Sequence, residues 1–179
     1  MVENQSRKVK AIPLRRLKMS RRTELLGAPQ DFGALRCRNL TPRDGIMVGK
    51  LLARSFQGAI DDEGQTPRQW VSLALNTFWH GICERSSLVL FDGKTPVCAM
   101  VVTGGGQLRS LDLAMTHPKY RGMKLAELLI RQSLHNLNEM GIQKLSLCVT
   151  EDNAPAMKLY QRLGFETQED FYYLKVVIS

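Results

Sequence analysis

From Ser87 to the C-terminus the apolar residues change period repeatedly, between the alternation of a half-buried strand and the three-or-four step of an amphipathic helix. Ser87–Phe91 and Val97–Val102 are short apolar runs joined by Asp92-Gly93, a hairpin signal, with Pro96 tolerable at a strand start. Gly104-Gly105-Gly106 turns the chain into a third run, Gln107–Met115. Beyond Arg121 the residues Ala126, Leu129, Ile130, Leu134, Leu137 and Met140 step by three or four, and Gly141 stands where a left-handed helix terminator belongs. Leu145, Leu147 and Val149 alternate again, Pro155–Leu163 is helical in pattern, and Leu174, Val176 and Ile178 make a last alternation. Such a chain has to stack helices on a sheet, because every strand face and helix stripe needs another element to cover it.

The upstream half fits the same scheme. Leu35–Asn39 reads as a strand, and Thr41-Pro42-Arg43-Asp44 combines a hydroxyl cap, a proline in the first helical position and an acid three residues on, which starts a helix running to about Phe56. Thr66-Pro67-Arg68-Gln69 repeats that logic before a run holding Trp70, Val71, Leu73, Ala74, Phe78 and Trp79, so two helices flank a loop containing Asp61-Asp62-Glu63. The expected order is β-α-α-β-β-β-α-β-α-β, an α/β (α+β) fold with a mixed, mostly antiparallel sheet.

With 179 residues the chain has the size of one domain. Its formal net charge of +8 raises nucleic acid, a membrane surface and a phosphorylated small molecule as candidate partners. Residues 1–30 hold eight basic against two acidic side chains, so most of the excess sits there. That segment is expected to be a solvated basic extension, broken at Gly27-Ala28-Pro29 from a folded body over residues 31–179. Cys37, Cys83, Cys98 and Cys148 form no Cys-x-x-Cys pair and lie in apolar runs, so buried reduced thiols, no metal site and a cytoplasmic protein are expected. No apolar run reaches the ~18 residues of a membrane span.

Two stretches carry chemistry. The strand Gln107–Met115 passes through Thr116-His117-Pro118-Lys119-Tyr120 into Arg121-Gly122-Met123-Lys124-Leu125-Ala126 and so into the long helix. The first turn of a helix exposes unpaired N–H groups and the positive end of the dipole, a natural seat for phosphate, and Arg121 and Lys124 add full charges. Further on, Asn153, Ala156 and Tyr160 share a helical face that ends at Gly164-Phe165.

At these two stretches the sequence resembles the GNAT superfamily of N-acetyltransferases. Arg121-Gly122-Met123-Lys124-Leu125-Ala126 is similar to its pyrophosphate loop, with Lys124 where the family usually has a glycine; Asn153…Ala156…Tyr160…Gly164-Phe165 is similar to its second acetyl-CoA motif. The resemblance implies a GNAT-like N-acetyltransferase domain over residues 31–179, in which the strands Gln107–Met115 and Lys144–Val149 run parallel and splay apart around acetyl-CoA as co-substrate. It implies cofactor binding by Leu113, Ala114, Met115, Arg121, Gly122, Met123, Lys124, Leu125, Ala126, Asn153, Ala156 and Tyr160, with Tyr160 as general acid to the departing thiolate.

The implied partner is an amine acceptor, small molecule or protein, rather than nucleic acid or membrane, and a homodimer is left open. An amine must lose its proton before it attacks; candidate bases are Asp112, then Glu84, His80 and the Asp61-Asp62-Glu63 cluster, with Asp112 expected to face away from Leu111 and Leu113. His117 reads as a surface turn residue. The acidic cluster would draw a cationic amine or polyamine, or be simply solvated, and Trp70 and Trp79 are either core or pocket wall. Two alternatives stand beside the enzyme: an acyl-CoA-binding sensor or scaffold without turnover, motivated by Lys124, and a nucleic-acid-binding or partner-docking protein acting through its basic arm.

Overall fold

The structure is a computed structural model, and it describes residues 9–24 and 30–178, with the side chains of residues 9, 10 and 176–178 left aside. The elements are β1 (Val9–Arg22), β2 (Arg36–Asn39), α1 (Gly45–Phe56), α2 (Pro67–Trp79), β3 (Leu88–Asp92), β4 (Thr95–Thr103), β5 (Arg109–Thr116), α3 (Leu125–Glu139), β6 (Lys144–Thr150), α4 (Ala154–Arg162) and β7 (Glu166–Ile178). Seven strands form one sheet in the order β2-β3-β4-β5-β6-β1-β7, antiparallel except for the pair β5–β6.

The helix starts follow the local chemistry. Thr66 and Gln69 exchange a reciprocal capping box ahead of α2. Asp44 accepts the Thr41 N–H at 2.8 Å, and a 3-10 turn over Pro42–Asp44 leads into α1. The Asp44 carboxylate is gripped on both oxygens by the Arg38 guanidinium at 2.8 and 2.7 Å, which pins β2 to that turn and holds its pKa down at about 2.

Two cores cover the sheet. On one face α3 presents Leu129, Ile130, Leu134 and Leu137 to Cys98, Met100, Leu145 and Leu147. On the other α1 and α2 present Val48, Leu51, Leu52, Trp70, Ala74 and Phe78 to Val89, Ala99, Val101 and Met115. The central strand β4 is therefore buried on both faces from Val97 to Thr103.

The expected basic extension is largely a strand. Val9–Arg22 is β1, inserted between β6 and β7, pairing Arg16–Arg22 with Thr150–Lys144 and Val9–Ser20 with Ile178–Glu166. Leu14, Leu17 and Met19 face the interior, while Arg15 bonds Asp170 (2.9 Å) and Glu151 (2.7 Å) and Lys18 bonds Glu169 (2.5 Å). Arg15 and Lys18 thus answer acids from distant parts of the chain, and the register shift between Lys18 and Met19 leaves Gln168 of β7 as the extra residue of a bulge. The expected break at Gly27-Ala28-Pro29 lies outside the described residues. All four cysteines are free thiols, but only Cys83 and Cys98 are buried; Cys37 is half-buried and Cys148 exposed. Among the described residues no helix is long and apolar enough to cross a membrane.

Candidate active site

The parallel pair β5–β6 holds register only over Arg109–Leu111 against Leu145–Leu147, although the strands continue to Thr116 and Thr150. Past Leu111 they part, and from there β5 is paired only with β4, as Leu113 with Val101, Ala114 with Met100 and Met115 with Ala99. The opposite backbone edge of Asp112–Thr116 faces the resulting gap. A register shift accompanies the split: Val101 and Val102 oppose Leu113 and Leu111, so Asp112 is the extra residue of a bulge.

The bulge corrects one expectation. Leu111 and Leu113 do not share a face: Leu111 packs with the α3 core and Leu113 against the α1–α2 core, because the extra residue inverts the alternation. Asp112 is exposed, lines the gap, and accepts the Thr103 hydroxyl at 2.5 Å. His80 and Asp112 together line an adjoining depression. Glu84 lies on the surface and borders none of these hollows.

At one end of the gap a cavity of about 720 Å³ is bordered by Ala114, Met115, Arg121, Gly122, Lys124, Leu125, Ala126, Asn153 and Ala156. The loop entering α3 is held open by left-handed backbone at Gly122 (φ 79°) and at Lys124 (φ 58°), the one non-glycine residue with positive φ among those described. Lys124 therefore adopts the conformation that a glycine would adopt without cost. Its ammonium has no ion-pair partner among the described residues. Arg121 donates from Nη2 to the Ser55 carbonyl at 2.6 Å, tying the loop to the end of α1. Arg162 also reaches this cavity, but Glu127 neutralises it at 2.6 Å. Met123 is 55 % exposed and does not border the cavity. His117 caps the 3-10 turn Pro118–Tyr120, its Nδ1 accepting the Lys119 N–H, and does not border the cavity.

Asn153 caps α4 by accepting the Ala156 N–H at 3.3 Å, and Gly164 (φ 78°) ends the helix so that Phe165 turns inward, 5.7 Å from the Tyr160 ring. Arg21 of β1 donates to the Leu163 carbonyl at that same helix end. Tyr160 is 8 % exposed and borders the gap, and its hydroxyl has no hydrogen-bond partner among the described residues. Burial pushes its pKa up to about 12, and the Asp61 charge adds to the rise.

The other side of the gap is acidic. Asp61 accepts the Thr150 hydroxyl at 2.5 Å and lies 3.8 Å from Arg16 Nη1; Glu63 faces the Tyr173 hydroxyl, whose pKa it raises. Asp62 is elsewhere: its two oxygens accept the Gly58 and Gly64 N–H groups at 2.7 and 2.9 Å, so it shapes the loop, and those bonds lower its pKa. Trp70 is core, its ring tilted 45° against Phe56 at 5.5 Å between centroids, with an edge on the gap, whereas Trp79 is 88 % exposed. Sequence reasoning missed Arg16, Ser55, Cys148 and Tyr173 on these walls; the alternation flanking Arg16 was the signal available for it. A larger hollow of about 930 Å³ lies between α1 and α2, among Ile46, Lys50, Arg54 and Arg68, and shares no residue with either motif.

Comparisons with known proteins bear on this arrangement. A mycothiol acetyltransferase of Corynebacterium glutamicum is 34% identical over 83 residues, 46% of this chain and 28% of that protein. An uncharacterized N-acetyltransferase of Schizosaccharomyces pombe is 29% identical over 70 residues, 39% of this chain and 43% of that protein. The matched stretches thus span well under two thirds of these relatives. Among solved structures, a GCN5-related N-acetyltransferase from Sphaerobacter thermophilus superposes with TM-score 0.70 at 17% identity, covering 94% of this chain and 53% of that one. The PaiA N-acetyltransferase from Thermoplasma acidophilum, solved in complex with coenzyme A, superposes with TM-score 0.61 at 16% identity, covering 82% of this chain and 100% of that one. The model of the acetyltransferase (GNAT) family matches residues 49–165, which span the divergence of β5 from β6, the loop into α3 and the capped helix α4, so this chain belongs to the GNAT acetyltransferase family.

Proposed function

We propose that the protein transfers an acetyl group from acetyl-CoA to a primary amine by direct attack within a ternary complex. The observation that carries this reading is the gap between β5 and β6, with a cationic, left-handed loop at one end and, on its wall, the hydroxyl of the largely buried Tyr160, without a partner among the described residues. The chain fits such a ligand: Ala114 and Ala156 keep the walls low, Gly122 and Lys124 open the loop backbone, and Arg121 and Lys124 supply charge for a pyrophosphate. Acetyl-CoA contributes the activated acetyl group.

The free edge of β5 around Leu113–Met115 offers N–H groups that can polarise a carbonyl lying beside them. The amine nitrogen would bond to that carbonyl carbon as the carbon–sulfur bond breaks, Tyr160 giving its proton to the leaving sulfur and the proton shed by the nitrogen restoring the tyrosine hydroxyl. With a pKa near 12, Tyr160 holds this proton throughout the neutral range. An alkylamine of pKa ~10.4 is neutral in about one molecule in 2,500 at pH 7, and Asp112, on the bulge and open to solvent, is the candidate base. Arg15 and Lys18, two of the basic side chains of the N-terminal segment, are paired with acids on the surface of the sheet, which counts against a reading through a basic nucleic-acid-binding arm.

Acetyl-CoA at about 100 times its dissociation constant should raise unfolding stability by about 2.7 kcal/mol, and amines should release coenzyme A thiol. Absence of any thermal stabilisation at millimolar acetyl-CoA refutes the reading. Tyr160→Phe should lower turnover by about 10²-fold with acetyl-CoA affinity unchanged; equal turnover would leave Tyr160 a packing residue. Acetyl-CoA binding without product across the amine panel would favour the sensor.

A further inference from the structure

The two ends of the gap differ in charge. The loop end offers Arg121 and Lys124 beside Asp152, whereas the opposite wall brings together Asp61 and Glu63 of the α1–α2 loop and Asp112 of β5, with Arg16 the one cation lining it among the described residues and Lys175 bound behind the loop to the Ile60 carbonyl. Arg16 answers them poorly. Its Nη1 is 3.8 Å from Asp61, and its Nε is buried with no hydrogen-bond partner. Asp61 Oδ2 and Asp112 Oδ1 have no partner among the described residues, since the Thr150 and Thr103 hydroxyls take only the other oxygen of each. Independently, the Tyr160 hydroxyl, on a side chain more than nine-tenths buried, opens onto this same wall without a partner among the described residues. Three carboxylates against one guanidinium leave the wall anionic, and a carboxylate with an unused oxygen beside a low-dielectric surface attracts cations strongly.

We infer that the acceptor is a dication, an amine whose second ammonium is held by Asp61 and Glu63 while the reacting nitrogen lies towards Asp112 and Tyr160. The inference rests on the acetyltransferase reading and narrows its substrate class to diamines and their longer relatives. The division of labour follows from position: Asp112 sits on β5, the strand whose free edge would take the thioester, and Asp61 and Glu63 reach in from the α1–α2 loop. Asp62, turned into its own loop, takes no part.

The test uses three acceptors of one length and different charge: 1,4-diaminobutane, butylamine and 4-aminobutyrate, assayed by coenzyme A release with the whole chain. The expected order of kcat/KM is diamine above monoamine by about tenfold or more, well beyond the twofold that two equivalent amines give by counting, with the amino acid last. The preference should shrink towards twofold in 0.5 M NaCl, because added salt screens the second charge, and in Asp61→Asn/Glu63→Gln. Butylamine turned over as well as the diamine in the unaltered protein overturns the inference and leaves the acetyltransferase reading standing. Preference for 4-aminobutyrate also overturns it and makes Arg16 a carboxylate receptor. No turnover of any amine removes both. The wild-type comparison decides these outcomes even if the double variant fails to fold.

Discussion

Lys124 offers a clean test of how the loop is built. It holds φ 58° and ψ 15° at the N-terminal end of α3, where a side-chain-bearing residue pays about 1–2 kcal/mol for left-handed backbone. Lys124→Gly removes that cost and loses about 0.5–1 kcal/mol to the greater freedom of glycine in the unfolded chain. It also removes a cation from the positive end of a helix dipole, worth about 0.3–1 kcal/mol. The unliganded variant should therefore be more stable by about 1 kcal/mol, or about 2–4 °C in Tm for a domain of this size. Lys124→Ala keeps the strained backbone and loses the charge alone, so it should fall below the glycine variant by about 0.5–1 kcal/mol in urea unfolding. Both variants should bind acetyl-CoA about two- to fivefold more weakly at low salt, with the difference fading in 0.5 M NaCl. Equal stability of the glycine and alanine variants would refute the strain argument; unaltered affinity would remove the ammonium from the phosphate site.

Two further outcomes follow from the fold. Met19, 1 % exposed on β1, should cost about 2–5 kcal/mol when replaced by alanine, read as a lower urea midpoint; no change would return residues 9–22 to a dispensable arm. Asp44 has a folded pKa of about 2 against an ordinary 3.8, so its ion pair with Arg38 stabilises the fold above about pH 4 and is lost as pH falls through 2. With both partners partly in solvent, the contribution is about 1 kcal/mol. Wild-type stability should exceed that of Asp44→Asn by this amount at pH 6 and converge with it at pH 2; a constant difference would assign the effect to the capping bond alone.

The elements that could be read along the chain are those made by near neighbours. Thr66 and Gln69 cap each other three residues apart, Asp92-Gly93 closes β3 on β4, and the apolar stripe of α3 ends at Gly141. Each depends on backbone geometry within one or two turns, so spacing alone states it. The same holds for Asn153, Ala156 and Tyr160, which one helix carries to one side of the gap.

What tertiary structure alone decided lies between distant residues. Nothing local in Val9–Arg22 says that its basic side chains will meet Glu151, Glu169 and Asp170, so a run of like charge read as a solvated arm although its apolar residues belong to the core. The bulge at Asp112 is a mismatch between two strands and has no signature in either one. Asp61 and Asp62 are adjacent in sequence, yet one closes on Thr150 across the sheet and the other folds into its own loop. Arg16 and Tyr173, from opposite ends of the chain, join the same wall because β1 and β7 pair beside β6. Covalent neighbours and helical period determine which elements form and which residues they can present. Long-range strand pairing, driven by burial of two sheet faces, determines which charges end up facing one another.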